Sequence, residues 1–244
     1  MGIISFIYGV LSYTFALATL VYGIGFIGNM MVPKSIDSGP AGTLPGALLL
    51  DLALLGLFAF QHSLMARPGF KDWWTRIVPK PVERSTYVLI SGLLLALLFR
   101  QWQPIAGTVW HVENAAGRSV LEALYFLGWV VLVSSTFMIN HFDLFGLRQV
   151  YMRMKSEPYR PLPFVQVALY RFVRHPIMLG FLILFWSAPT MSLGHLLFSA
   201  ASTGYIFIGI FLEERDLRRI HGETYERYRR EAGMILPLPR RKST

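Results

Sequence analysis

Residues 177–186 read Ile177-Met178-Leu179-Gly180-Phe181-Leu182-Ile183-Leu184-Phe185-Trp186 and open an apolar run that reaches Pro189. A tight Thr190-Met191-Ser192 turn follows, and Leu193 to Leu212 is a second apolar run. Neither run contains Asp, Glu, Lys or Arg. Unpaired backbone amides are intolerable in hydrocarbon, so a chain built from such runs crosses a bilayer as helices. The first run is short for a full crossing, and the pair reads as a hairpin of uneven depth. Charged groups stand at its two mouths. Tyr170-Arg171-Phe172-Val173-Arg174-His175-Pro176 precedes it and Glu213-Glu214 follows it. Charges at a bilayer edge are costly, so they are paired or have a task.

Working outward, four more spans appear: Ile3 to Met30, Leu44 to Met65, a third with its core at Ser85 to Leu98, and Val120 to Ile139. Each is long and apolar enough to span about 30 Å of hydrocarbon, with tilt or flanking residues taking up the mismatch. The expectation is an all-α integral membrane protein with about six membrane segments, the last two a hairpin, plus an amphipathic basic C-terminal helix from Glu213. Residues 1–244 form one membrane domain, divided into 1–140 with four spans and 141–244 with the charged loop, hairpin and tail. Pro163 to Phe172 reads as a short interfacial helix. The composition agrees: 54% hydrophobic and 15% charged residues, against about 25% charged in soluble domains.

The net charge is +9. Nucleic acid is one reading of such a charge, but its distribution favours headgroups instead. Of 23 Lys and Arg, all but Lys34, Arg100 and Arg118 fall in the loop at 67–84, the loop at 144–174, or the tail with Arg240, Arg241 and Lys242. The positive-inside rule then puts both termini in the cytoplasm. Met1-Gly2-Ile3-Ile4 lacks a basic leader region, so no removable signal peptide is expected. There is no cysteine, and no histidine pair has helical i, i+4 spacing, so no metal site is expected. No G-x-G-x-x-G follows a strand, and neither a P-loop nor a G-x-S-x-G elbow is present.

By the same topology His62, Asn140-His141, Arg174-His175 and Glu213-Glu214 all lie at the cytoplasmic face. Adjacent Glu213 and Glu214 point about 100° apart on a helix. One can face a pocket while the other pairs with Arg174. On residue types alone, a structural lock between Arg174 and the two carboxylates and a ligand site are both open.

Tyr170-x-x-Val173-Arg174-His175-Pro176-x-x-x-Gly180, the hairpin, Glu213-Glu214 and Tyr225-x-x-Tyr228 resemble the C-terminal signature of the isoprenylcysteine carboxyl methyltransferase superfamily. That resemblance implies an S-adenosylmethionine site at the cytosolic membrane edge, with donor-binding roles for those residues. The chain carries Met178 where that family often has Tyr. Farther forward, Val32-Pro33-Lys34-Ser35-Ile36-Asp37, Gln61-His62-Ser63-Leu64-Met65-Ala66-Arg67, Glu83-Arg84-Ser85-Thr86-Tyr87 and Asn140-His141-Phe142-Asp143-Leu144-Phe145-Gly146-Leu147-Arg148-Gln149 resemble the methanethiol S-methyltransferases. Related denitrification-associated membrane proteins share the Gln-His-Ser and Glu-Arg-Ser parts. The implied activity is methylation of methanethiol to dimethyl sulfide by S-adenosylmethionine, in the bacterial inner membrane, with no metal. The alternatives are a larger lipid-like acceptor, such as a prenylcysteine or phospholipid, or a membrane protein that is not an enzyme.

A thiol is largely protonated near neutral pH, so a base or a water path is useful. The candidate bases are His141 and His62, beside Asn140, with Asp143 or Asp37 as orienters. The alternatives are that His141 complements the macrodipole of its span, and that His62 makes an interhelical hydrogen bond. Tyr225 and Tyr228 either close over the donor or seat the tail at the interface.

Overall fold

The computed structural model describes residues 2–237, so Arg240, Arg241 and Lys242 lie outside the described residues. The elements are α1 (Gly2–Gly28), α2 (Leu44–Ala66), α3 (Pro68–Trp74), α4 (Lys80–Gln101), β1 (Thr108–His111), α5 (Ala115–Met138), α6 (His141–Leu144), α7 (Leu147–Met154), α8 (Pro176–Trp186), β2 (Thr190–Ser192), α9 (Leu193–His221) and α10 (Glu223–Glu231), with a 3₁₀ turn at Ala168–Arg171. Five of them, α1, α2, α4, α5 and α9, are long and apolar enough to cross a membrane. The chain is an all-α integral membrane protein. α8 has 11 residues, or about 16 Å at 1.5 Å per residue, which is half a bilayer core. The short fifth segment expected from the sequence is therefore a half-span.

The described residues form two compact units, each drawn from separate stretches: residues 2–111, 140–162 and 190–201, and residues 112–139, 163–189 and 202–237. In the first, α1 packs against α4 and α7, and α2 packs against α4. Tyr87, Val88, Ala16 and Met65 form a buried cluster, with Phe70, Trp74 and Phe145 against it. β1 and β2 pair antiparallel, His111 opposite Thr190. In the second, α5 packs against α8. A side-chain carbon added at Gly128 would sit 2.8 Å from Leu184 N, and one at Gly180 would sit 2.7 Å from Leu132 N. Small residues let two backbones approach in the absence of a hydrophobic drive between helices.

Three local expectations are corrected. Pro163 to Phe172 is no helix beyond the 3₁₀ turn at Ala168–Arg171; Pro163 withholds a donor, and the β-branched Val165 and Val167 favour extended backbone. The loops at 103–118 and 190–192 contain the β1–β2 pair. The final span does not stop at Leu212. α9 runs on to His221 as one 29-residue helix, so Glu213 and Glu214 project from a helix, and the basic tail begins with α10. Gly23-Ile24-Gly25-Phe26-Ile27-Gly28 spells a G-x-G-x-x-G spacing, but within α1 rather than after a strand.

Candidate functional site

Val173, Arg174 and His175 lead into α8, and Pro176 occupies its first turn, where a missing amide hydrogen costs nothing. Residues 172–175 lie beside residues 233–234. Gly233 N donates to Phe172 O at 3.0 Å, Arg174 N to Gly233 O at 2.7 Å, and His175 N to Met234 O at 3.2 Å. Two chain segments thus clip together and fix the backbone from which Arg174 and His175 project.

Arg174 Nε donates to Glu214 Oε1 at 2.7 Å, and its Nη1 donates to Arg229 O at 3.2 Å and Ala232 O at 2.5 Å. Both side chains of the pair are below 10% exposed. Arg229 Nε lies 3.2 Å from Glu214 Oε2, within ion-pairing distance but outside hydrogen-bond alignment. His175 sits between the carboxylates: Nε2 is 3.3 Å from Glu214 Oε1 and Nδ1 is 3.5 Å from Glu213 Oε2. Burial opposes the charged imidazole, but the hydrogen bonds to Glu213 and Glu214 outweigh it, and the His175 pKa is raised. Glu213 keeps a side chain 47% exposed. It is the carboxylate of the pair with capacity for a ligand.

The tyrosines of α10 pack over this cluster's tail side. Tyr228 donates to Tyr170 O at 2.6 Å, and Phe164 packs edge-on against Tyr225 and Tyr228. Burial pushes the Tyr228 phenol up to about 12. Tyr225 is 1% exposed, yet its hydroxyl has no hydrogen-bond partner among the described residues. Burial, with the charge of Glu214 next, holds that phenol in its neutral form. A buried donor without an acceptor costs about 1–3 kcal/mol, so a ligand acceptor at this point would be rewarded. Val173 is buried in the clip. Gly180 is at the α5–α8 crossing, where its missing side chain serves helix packing.

The other predicted residues lie in the first unit. Asn140, at a left-handed φ of 87°, caps the four-residue α6 by accepting from Asp143 N at 3.0 Å. That turn buries His141, whose Nε2 is 2.8 Å from the Tyr13 hydroxyl. Burial lowers the His141 pKa. Asp143 pairs with Arg148 at 2.9 Å and accepts from Tyr159 at 3.3 Å. Asp37 is held by Asn29 and Ser192. His62 Nε2 lies 2.8 Å from the Tyr87 hydroxyl, and its Nδ1 is 3.3 Å from Ser91 Oγ. Arg84 lies over the Tyr87 ring at 5.0 Å. Phe145, 4.7 Å from the His141 ring, packs on the buried cluster that contains Tyr87. The two histidines therefore flank one apolar cluster within this unit.

Sequence reading missed Tyr13, Tyr87 and Arg229 as partners. Tyr13 lies in a helix without charge and 128 residues from His141; nothing local marks it. Arg229 follows the Tyr225-x-x-Tyr228 pattern directly and was the more legible of the three.

Residues 49–227 match the family model described as NnrU protein. The chain belongs to the NnrU family. Similarity to known proteins extends over nearly the full chain. A methanethiol S-methyltransferase of Crocosphaera subtropica is 52% identical over 237 residues, covering 97% of this chain and 93% of that protein. One of Mycobacterium tuberculosis is 50% identical, covering 98% of each. Nurim of Bos taurus is 30% identical, covering 72% of this chain and 70% of its own length. No solved structure matches.

Proposed function

We propose that this chain is an S-adenosylmethionine-dependent methyltransferase that converts methanethiol to dimethyl sulfide. The observation that carries the reading is the identity of about one half, over nearly the whole length, to relatives named methanethiol S-methyltransferase. The Arg174–His175–Glu214 cluster, with Glu213 partly exposed and Tyr225 lacking an acceptor, supports a donor site in the second unit. Those residues fit the proposed donor in kind. A carboxylate suits a sulfonium or ribose hydroxyls, and an orphaned phenol suits an acceptor on the ligand.

Bound S-adenosylmethionine supplies an electrophilic methyl on a positively charged sulfur. The chain's own residues do the rest. Arg174 and Arg229 hold Glu214 ionised and fixed, and Glu214 with His175 sets the start of α8. Glu213 and Tyr225 contact the donor, beside Tyr170, Val173 and Pro176. His141, kept neutral near pH 7 by burial, accepts the thiol proton, and Tyr13 orients its ring; His62 is the second candidate. Methanethiol offers almost no polar handle, so rate rests on positioning in a site with little water. The crowding of basic residues into the loops at 67–84 and 144–174 and the tail supports an inner-membrane orientation with both termini and the site cytoplasmic.

The test uses membranes from expressing cells, given methanethiol and S-adenosylmethionine, with headspace dimethyl sulfide as the readout. Dimethyl sulfide should appear and be suppressed by S-adenosylhomocysteine. No product with donor binding intact would remove methanethiol as the acceptor. No donor binding by calorimetry would remove the methyltransferase reading itself.

A further inference from the structure

α1 and α4 lie side by side in the first unit and approach tightly at Gly92, where an added side-chain carbon would meet Ala16 Cα and the Phe15 ring at 3.3 Å. Past that point, toward Gly28 and Gln101, small residues such as Ala18 and Ala96 leave a groove of about 340 Å³. Its walls are aromatic and apolar: Phe15, Thr19, Tyr22 and Phe99, with Tyr22 stacked on Phe99 at 6.0 Å. Phe15 and Ala18 are exposed, so the groove opens sideways from a helix pair long and apolar enough to span a membrane. An acyl chain suits such an opening in shape and polarity.

The end of the groove is different in kind. Lys34 and Arg100 both line it there. The backbone of the Lys34-Ser35-Ile36 segment is held by three hydrogen bonds. Tyr22 donates to Lys34 O at 2.9 Å, Trp102 Nε1 to Ile36 O at 3.1 Å, and Ile36 N to Phe26 O at 2.9 Å. Lys34 Nζ donates to Ser38 O at 3.2 Å, which leaves further donor capacity on the ammonium. Burial lowers the Lys34 pKa, opposed in part by the charge of Asp51. Asp51 is fully buried and already accepts from Gln103 N at 2.9 Å. Arg100 is exposed and has no ion pair or hydrogen bond among the described residues. These are two of the three basic residues that the charge distribution leaves away from the basic loops and tail.

We propose that this groove binds one anionic glycerophospholipid, with an acyl chain between α1 and α4 and the headgroup phosphate on Lys34 and Arg100. Apolar walls ending in a pair of cations match that ligand in both shape and charge. Each basic group near an anionic headgroup contributes roughly a five-fold preference. The pair then gives roughly 25-fold discrimination over a neutral headgroup with the same chains.

The test is native mass spectrometry of the purified full-length protein in detergent, with phosphatidylglycerol or phosphatidylcholine of identical chains. Wild type should retain phosphatidylglycerol well above phosphatidylcholine. Lys34→Gln combined with Arg100→Gln should bring the two to the same level. Arg100→Gln alone, at an exposed position, should lower the preference about five-fold and serves if the double variant does not fold. Ala96→Phe should reduce retention of both lipids while leaving the cations in place. Equal retention of the two lipids by wild type would overturn the proposal. So would unchanged retention in both Arg100→Gln and Ala96→Phe, or full displacement by glycerol phosphate, which carries the anion without the chains.

Discussion

Tyr13 in α1 and His141 in α6 are joined by a contact of 2.8 Å between the phenol oxygen and Nε2, with the rings edge to face at 5.6 Å. A buried imidazole held this way has its orientation set by a residue from the far end of the chain. If His141 takes the thiol proton, Tyr13→Phe should lower turnover roughly 10–100-fold, within the range of general-base effects, and leave donor affinity unchanged. Initial rates of dimethyl sulfide release beside donor calorimetry separate the two. Equal loss of both would mean that Tyr13 only holds the fold.

The acid limb of the rate profile follows from the same burial. His141 has a lowered pKa because burial disfavours its charged form. The base form therefore persists to a pH below the usual histidine value of about 6.5. The rate should fall only when pH drops through that lowered value. His141→Gln should remove the limb along with most of the rate.

Glu213 and Glu214 are neighbours in sequence with different burdens. Glu214→Gln leaves Arg174 buried without its counter-charge, a change that costs about 3–5 kcal/mol, and the melting temperature should fall sharply. Glu213→Gln, at a half-exposed site, should change melting little and weaken donor binding. A thermal scan with and without S-adenosylhomocysteine reads both effects.

His175 gives the cluster a pH dependence whose sign can be worked out. Its folded pKa is raised, because hydrogen bonds to Glu213 and Glu214 outweigh the cost of burial. The stabilisation is thus fully present below the unfolded pKa of about 6.5 and is lost as pH rises through the folded value. Denaturation midpoints should decline as pH rises from the unfolded to the folded value, and His175→Gln should flatten the decline.

Tyr225→Phe removes an oxygen that has no hydrogen-bond partner among the described residues. Stability should hold or rise by about 1 kcal/mol, while donor affinity falls. A fall in melting temperature would show that the hydroxyl is satisfied by the protein itself.

The membrane class and the helices were legible because apolar length is a property of contiguous residues. The half-span α8 was visible as a run too short to cross. The charged mouths of the hairpin were legible too, since Arg174, His175, Glu213 and Glu214 carry their chemistry in their names. What escaped were consequences of packing. Leu212 gave no stop signal, yet charged residues beyond it suggested one; the helix continues because Arg215, Arg218 and Arg219 are good helix formers that leave hydrocarbon without leaving the helix. Tyr13 and Tyr87 were invisible as partners, since a phenol in an apolar run looks the same whether it meets lipid or an imidazole.

Arg174 donates its second and third side-chain hydrogen bonds to the carbonyls of Arg229 and Ala232, and its amide donates to Gly233 O. Those acceptors follow the last apolar helix in the chain. Every apolar segment is made before the clip can close. The cell therefore builds the whole hydrophobic scaffold first and completes the charged centre last. A chain cut short just before Arg229 keeps the five long apolar helices and lacks both carbonyls that fix the Arg174 guanidinium. Through that ordering, the charged cluster assembles only after residues 229–234 have followed the helices out.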